Sequence, residues 1–165
     1  MKSKLQKITL CSLLLCCIYN LWTLLPVQVL YTYSDAGSSV FLVVNHLPLT
    51  DRDKIDWYLT HQNEIKSKNP LPEGAWHTYY LIDIGNGFTN PKKYTDGPYE
   101  DLYCFPTIDN DDNCIVKHYL MVVNEYPDRN THFVIDDTNE YQLTQENKIE
   151  RVFNPHDLEK SNFYE

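Results

Sequence analysis

A run of 27 residues without a charged side chain, from Ile8 to Ser34, constrains this chain more than any other feature of its sequence. Its first part is strongly apolar, and a helix of roughly 20 apolar residues crosses a hydrocarbon core about 30 Å thick. Three lysines precede the run, at positions 2, 4 and 7. This arrangement predicts a basic cytoplasmic end over residues 1–7 and a transmembrane anchor over residues 8–25.

A cleaved secretory signal begins in the same way, so the two interpretations differ only at the far end of the run. A signal peptide ends in a small-x-small cleavage site, whereas the apolar run here continues through Ile18, Leu21, Trp22 and Leu25. No cysteine in the run follows the small residue that a lipoprotein signal requires. A retained anchor is therefore favoured, with Pro26 ending the helix.

The orientation of the anchor follows from its flanks, because lysine and arginine residues beside a membrane span tend to remain in the cytoplasm. Between Leu25 and Asp51 there is no lysine or arginine. We therefore expect a single-pass inner-membrane protein with a cytoplasmic N-terminus. Residues 26–165 should form one external domain, in the periplasm of a Gram-negative host.

The external domain is acidic. The whole chain has 14 basic and 23 acidic residues. Three of the basic residues and none of the acids precede residue 26, so the domain has 11 against 23 and a net charge of −12. Such a surface argues against binding of DNA or RNA, which needs a basic footprint, and it complements a basic protein partner.

The five cysteines divide between the two parts of the chain. Cys11, Cys16 and Cys17 lie in the apolar span, where a thiol behaves as a small hydrophobic group. Cys104 and Cys114 are the two external cysteines, and in an oxidising compartment we expect them to form a disulfide.

A helix and a succession of short strands are predicted after the anchor. Thr50 is the expected N-cap of a helix that runs to about Lys68, with Asp53 in a capping-box-like position. Its predicted core stripe is Ile55, Tyr58, Leu59, Gln62 and Ile65. Alternating or β-branched patterns predict strands over 27–34, 40–44, 76–84, 102–106, 115–124, 131–135, 141–144 and 149–153.

This order of elements predicts an α+β fold, in which an N-terminal transmembrane helix is followed by a mostly antiparallel sheet packed on one helix. The first two strands should pair as a hairpin, because only a short turn separates them. Residues 88–101 show no sustained periodicity and are expected to form a long irregular loop.

The sequence contains no complete catalytic or metal-binding motif. Residues 109–113 begin like a calcium loop, but Cys114 stands where that loop requires glycine and Leu120 where it requires a bidentate glutamate. There is no HExxH, no serine-hydrolase elbow and no phosphate-binding glycine loop. We therefore expect no metal, no cofactor and no enzymatic activity. The alternative is a periplasmic hydrolase in which Glu73 or Asp83 pairs with another carboxylate.

Five short segments carry a family resemblance: PLTD at 48–51, DKIDW at 53–57, LYCF at 102–105, NCI at 113–115 and FVIDD at 133–137. In this combination the chain resembles a family of small enterobacterial membrane proteins, domain of unknown function 943. The resemblance covers nearly the whole chain, including the basic start and the anchor. It implies the same topology and the pairing of the two external cysteines, and it implies no catalytic or binding residue.

A membrane tether, an acidic external domain and the lack of catalytic motifs indicate a non-enzymatic interaction domain, either an immunity protein that masks a toxin or an envelope accessory factor. The predicted partner surface comprises Asp109, Asp111 and Asp112 with the aromatic-rich loop around Tyr94 and Tyr99. Carboxylates attract a basic partner, and tyrosine adds contact area. The competing interpretation is that the acids only keep the domain soluble and the tyrosines fill sheet positions.

Overall fold

The computed structural model describes residues 25–152, together with residues 7, 8, 10–12 and 14 near the N-terminus. The predicted anchor over residues 8–25 therefore lies largely outside the described residues, as does the segment from residue 153 onwards. Among the residues that are described, no helix has both the length and the apolar character needed to cross a membrane.

Residues 25–152 fold into one α-helix, one 3₁₀-helix and nine strands. Seven strands form a single sheet in the order β1-β2-β3-β6-β7-β8-β9, and β4 and β5 form a separate hairpin. The elements are β1 (Val29–Ser34), β2 (Ser39–Val44), α1 (Asp51–Lys68), β3 (His77–Asp83), the 3₁₀-helix (Tyr99–Asp101), β4 (Leu102–Cys104), β5 (Cys114–Val116), β6 (Tyr119–Glu125), β7 (Thr131–Ile135), β8 (Asn139–Leu143) and β9 (Ile149–Arg151).

The predicted α+β class with a mostly antiparallel sheet is confirmed, with one exception in the pairing. Strands β2 and β3 are parallel, whereas the other neighbouring strands are antiparallel. The helix α1 is the reason, because 18 residues at about 1.5 Å each carry the chain back along the sheet before β3 begins. The chain therefore contains a β-α-β unit that the order of predicted elements did not indicate.

The predicted hairpin of β1 and β2 is confirmed, and Asp35 organises its turn. The Oδ1 atom of Asp35 accepts hydrogen bonds from the backbone N–H groups of Gly37, Ser38 and Ser39 at 2.8 to 3.0 Å. Burial raises the pKa of Asp35, but the hydrogen bonds from Ser39, Gly37 and Ser38 outweigh it, so the pKa lies below its ordinary value.

The start of α1 is also as predicted. The Thr50 hydroxyl accepts a hydrogen bond from the Asp53 backbone N–H at 3.2 Å, and it donates to the Asp53 carboxylate at 2.6 Å. The N-cap therefore satisfies one of the backbone donors that the first turn leaves unpaired. Because these contacts are local in sequence, the helix start could be placed to within one residue.

One face of the sheet, here called the helix face, packs on α1. Its core is mainly aliphatic and includes Leu42, Leu81, Met121, Val123 and Ile135. The predicted residues Ile55, Tyr58 and Ile65 of α1 are buried there, and Leu59 is partly buried against the same core.

Several polar contacts tie α1 to the sheet, among them those of Lys54 and Tyr58. Lys54, which is 7% exposed, donates to the Asp136 carboxylate at 2.8 Å. Tyr58 donates to Glu125 at 3.0 Å, and burial followed by the Glu125 charge raises the pKa of this tyrosine far above its ordinary value. Helical periodicity in the sequence gave no sign that a lysine would be buried.

The opposite face, here called the insertion face, is covered over β1 to β3 by residues 84–118, which we call the insertion. Phe105 and Ile115 of the insertion are buried against Phe41, Val43 and Ile82 of the sheet. The insertion contains the 3₁₀-helix and the β4–β5 hairpin.

The single strand predicted over residues 115–124 is wrong, since the structure divides it into β5 and β6. The Lys117 backbone N–H bonds to the Asp101 carbonyl and the His118 N–H to the Val116 carbonyl, each at 2.8 Å. These bonds turn the chain from the small hairpin into the large sheet. The polar pair Lys117-His118 marks the break in the sequence, but the pattern by itself cannot reveal that the two halves pair with different neighbours.

Candidate functional site

The three acidic residues predicted to bind a partner lie on the loop that joins β4 to β5, here called the tip (residues 105–113). Asp109, Asp111 and Asp112 are exposed. Within the described part of the chain, no ion pair joins any of these three carboxylates to a lysine, arginine or histidine. The tip therefore presents a concentrated negative charge to solvent.

The predicted disulfide between Cys104 and Cys114 is present and closes the base of the tip. The two cysteines are directly paired in the β4–β5 ladder, with their Cα atoms 3.9 Å apart. Their chain neighbours Phe105 and Ile115 are buried between the insertion and the sheet. Both ends of the tip are consequently attached to the core, while its acidic middle is exposed.

Aromatic rings join the insertion to the sheet. Phe41 stacks on Tyr103 and Tyr80 with ring centroids 4.1 and 4.7 Å apart, and Phe105 makes an edge contact with Tyr31 at 5.0 Å. Burial, followed by the neighbouring Tyr33, raises the pKa of Tyr103 to about 12. Several of the 13 tyrosines are therefore partly buried in this layer.

Tyr94 and Tyr99, the two tyrosines predicted to belong to the partner surface, have different environments. Tyr99 is 63% exposed, and its hydroxyl lies 3.9 Å from Cys104 Sγ, so the side chain extends along the hairpin toward the tip. Tyr94 is half-buried and lines a cleft at the other end of the hairpin. The five predicted residues therefore lie in two separate regions and do not form a single patch.

The cleft that contains Tyr94, here called the β3-end cleft, has a volume of about 370 Å³. It opens beyond the last residue of β3, Asp83, and Asp96, Val116 and His118 also line it. Asp83 Oδ2 lies 3.4 Å from His118 Nδ1, and Asp83 Oδ1 accepts the Gly85 N–H at 3.2 Å. This cleft joins residues that are far apart in the sequence and was not predicted.

A larger groove of about 410 Å³ lies between α1 and the edge strand β1. Val27, Trp57, His61, Glu64 and Lys68 are among the residues that line it, and Trp57 stacks on His61 with ring centroids 4.7 Å apart. Lys68 donates to Glu64 at 2.6 Å, and this hydrogen bond lowers the pKa of the Glu64 carboxyl. The charges in this groove are therefore already paired.

The remaining sequence candidates have structural surroundings. Glu73 lies before the start of β3 and Asp83 at its end, so the seven residues of the strand, roughly 20 Å, separate them. His61 Nδ1 and His77 Nε2 lie 2.7 and 2.8 Å from backbone carbonyl oxygens. Among the described residues, no three His, Cys, Asp or Glu side chains are grouped as metal ligands.

The fold and these surfaces define an α+β domain whose sheet carries a helix on one face and a disulfide-closed acidic insertion on the other. The chain belongs to the family described as enterobacterial putative membrane protein (DUF943), which matches residues 2–153. The family resemblance inferred from the sequence is thereby confirmed, and the description of the family agrees with a membrane protein. Searches of curated proteins and of solved structures found no match.

Proposed function

We propose that the chain is a single-pass inner-membrane protein whose periplasmic domain binds a basic protein partner through the acidic tip and has no enzymatic activity. The observation that carries the proposal is the tip itself. Three exposed carboxylates stand within four residues, on a loop whose two ends are fixed by the disulfide and the aromatic core.

The surroundings of several other acidic residues support this assignment. Asp136 pairs with Lys54, Glu125 with Lys66 and Glu64 with Lys68. These acids contribute to packing or to surface ion pairs, whereas the tip carboxylates have no such partner among the described residues. Unpaired charge of one sign steers an oppositely charged protein and raises its association rate.

The tip also suits a binding role mechanically. Because its conformation is held by the disulfide, binding would cost little ordering entropy. Tyr99, exposed and directed toward the tip, would add apolar contact area beside the charge. A membrane-tethered domain with such a surface could shield a basic toxin, as an immunity protein does, or hold a basic envelope protein near the membrane.

The rival function is that of a periplasmic hydrolase, and one observation favours it: Asp83 and Asp96 line the same cleft. A pair of facing carboxylates is the arrangement that glycoside hydrolysis requires. Incubation of the purified domain with cell-wall glycan, with an Asp96→Asn variant as control, should release no product. Product release that the substitution abolishes would establish the rival.

The topology is tested with reporters fused after Glu165. A reporter that is active only in the periplasm should give signal, and a cytoplasmic reporter should be silent, because the lysines precede the anchor. An active cytoplasmic reporter, or a mature N-terminus within the apolar run, would contradict the proposal.

The tip is tested by replacing Asp109, Asp111 and Asp112 together with asparagine, which keeps the shape and removes the charge. Partner capture by crosslinking in the native host should fall, and its salt dependence should flatten. The control replaces Glu73 and Glu150 with glutamine and Asp137 with asparagine, which removes equal charge from exposed positions outside the insertion that also have no ion pair among the described residues. Equal loss in both triple variants would show a general charge effect and contradict a tip-specific site.

A further inference from the structure

The β3-end cleft combines negative charge with apolar surface in one cavity. Asp83 and Asp96 contribute carboxylates, Phe88 and Tyr94 contribute rings, and Val116 contributes aliphatic surface. Val116 is 41% exposed, although it lies in a strand. We propose that this cleft binds an organic cation, namely an alkylammonium or guanidinium group on a short aliphatic stem.

Asp83 is held in position for such a contact. Its Oδ1 accepts the Gly85 N–H at 3.2 Å, its Oδ2 lies 3.4 Å from His118 Nδ1, and its side chain is 29% exposed. A carboxylate offers roughly four lone-pair sites. The two existing contacts orient the group and leave acceptor capacity for a donor that enters the cleft.

The second wall is formed by the loop with Tyr94 and Asp96. A β carbon at Gly97 would lie 3.2 Å from the Tyr94 hydroxyl and 2.8 Å from Asp101 Oδ2, so the glycine permits a close approach of both groups. The Asp101 carboxylate and the Tyr94 hydroxyl therefore both lie against Gly97. A carboxylate and an aromatic face each stabilise an ammonium or guanidinium group.

The cations nearest to the cleft in sequence do not occupy it. The Lys117 ammonium group donates a hydrogen bond to the Glu100 backbone carbonyl at 2.6 Å. Lys92 and Lys93 are exposed and are not among the residues that line the cleft. Within the described chain, His118 is the one basic side chain in the cleft wall, and it already contacts Asp83.

The position of the cleft also suits a ligand. It lies beyond the carboxyl end of β3, at the end where the parallel strands β2 and β3 both finish. Gly85 and Gly87, with φ of 50° and 95°, turn the chain there, and an added β carbon at either would meet nothing within 4 Å. The volume of about 370 Å³ falls within the roughly 300 to 1,000 Å³ of small-molecule sites.

Two sources could supply this cation, a free amine or guanidine in the periplasm and a lysine or arginine side chain of a protein. The site does not depend on the acidic tip, because the tip lies at the disulfide end of the hairpin and the cleft wall begins at its other end. A failure here would therefore leave the proposed function of the tip unaffected.

The test titrates the full chain in detergent micelles with ethylguanidinium and with its neutral counterpart ethylurea, and follows the amide signals of Gly85, Gly87 and His118 by NMR. Ethylguanidinium should shift these signals and ethylurea should not. Asp96→Asn should weaken ethylguanidinium binding about threefold or more, the size expected of a partly exposed ion pair. Tyr94→Leu should weaken it similarly, and the triple asparagine variant of the tip should bind as the unchanged protein does.

A peptide arm separates the two sources. If Gly-Arg-Gly shifts the same signals and Gly-citrulline-Gly does not, the cleft accepts a protein side chain, whereas a response to the free cation alone assigns a small-molecule ligand. Unchanged α1 signals in each variant verify the fold. Equal shifts with ethylurea, equal binding by Asp96→Asn and Tyr94→Leu, or no shift with any probe would overturn the proposal.

Discussion

The two faces of the sheet are covered in different ways. On the helix face, one regular element of 18 residues packs on a mainly aliphatic core and is tied to the sheet by partly buried polar contacts. On the insertion face, two three-residue strands, one turn of 3₁₀-helix and irregular chain pack through stacked aromatic rings and a disulfide.

The difference follows from where the backbone hydrogen bonds are made. A helix satisfies its own N–H and C=O groups, so side-chain packing is enough to hold it on a sheet. An irregular segment has few such bonds and needs rings or a covalent link to fix it. Irregular segments on a rigid scaffold commonly carry function, which agrees with the location of both proposed sites in or beside the insertion.

The sharpest test of this comparison uses two neighbouring residues of β3. Leu81 faces the helix side and Ile82 the insertion side, and both are 0% exposed. Leu81→Ala should lower the free energy of unfolding by about 3 to 5 kcal/mol, and Ile82→Ala by about 2 to 3 kcal/mol, because irregular chain can settle into the cavity more readily than a helix. Denaturant titration measures both, and equal losses would remove the distinction.

The next effect concerns the covalent link. Replacing Cys104 and Cys114 with serine opens a loop with a sequence separation of 10. This should cost about 2 to 3 kcal/mol by the chain-entropy model. Amide hydrogen exchange should accelerate between residues 102 and 116 and stay unchanged in α1. Uniform acceleration across the domain would show that the insertion and the helix side unfold as one unit.

A smaller effect is expected for the polar tie of the helix side. Asp136→Asn leaves the Lys54 ammonium group, 9% exposed in its side chain, without its anion. Because the Asp136 side chain is 49% exposed, we expect a loss of only about 1 to 2 kcal/mol. Lys54→Met removes the buried charge itself and should cost less. Thermal unfolding of both variants measures the two losses of stability. A larger loss for Lys54→Met than for Asp136→Asn would contradict this expectation.

The smallest effect is a pH dependence shared by the two faces. Burial raises the pKa of Tyr103 and of Tyr79 to about 12, from about 10 in an unfolded chain. The stability from keeping these phenols neutral is complete below about pH 10 and is lost as the pH rises through 12. Tyr103→Phe and Tyr79→Phe should each move the alkaline unfolding midpoint upward by less than about one pH unit. An unchanged midpoint in both would refute this account.

Local signals in the sequence were sufficient for much of the fold. The cap at Thr50 and the spacing of Ile55, Tyr58 and Ile65 predicted α1 to within one residue, because both depend on contacts three or four residues apart. The turn at Asp35 predicted the first hairpin for the same reason. Cys104 and Cys114, the two cysteines outside the apolar run, predicted the disulfide because they offered one pairing. The role of the tip remains a prediction.

Only the tertiary structure decided the parallel pairing of β2 with β3, the division of residues 115–124 into two strands and the burial of Lys54. It also brought Asp83, Asp96 and His118 into one cleft. Each depends on contacts between residues distant in the chain, and periodicity reports which side of an element is apolar without reporting what covers it. The sequence therefore determined the elements and their inner faces, and long-range packing decided which partners met and where a cavity remained.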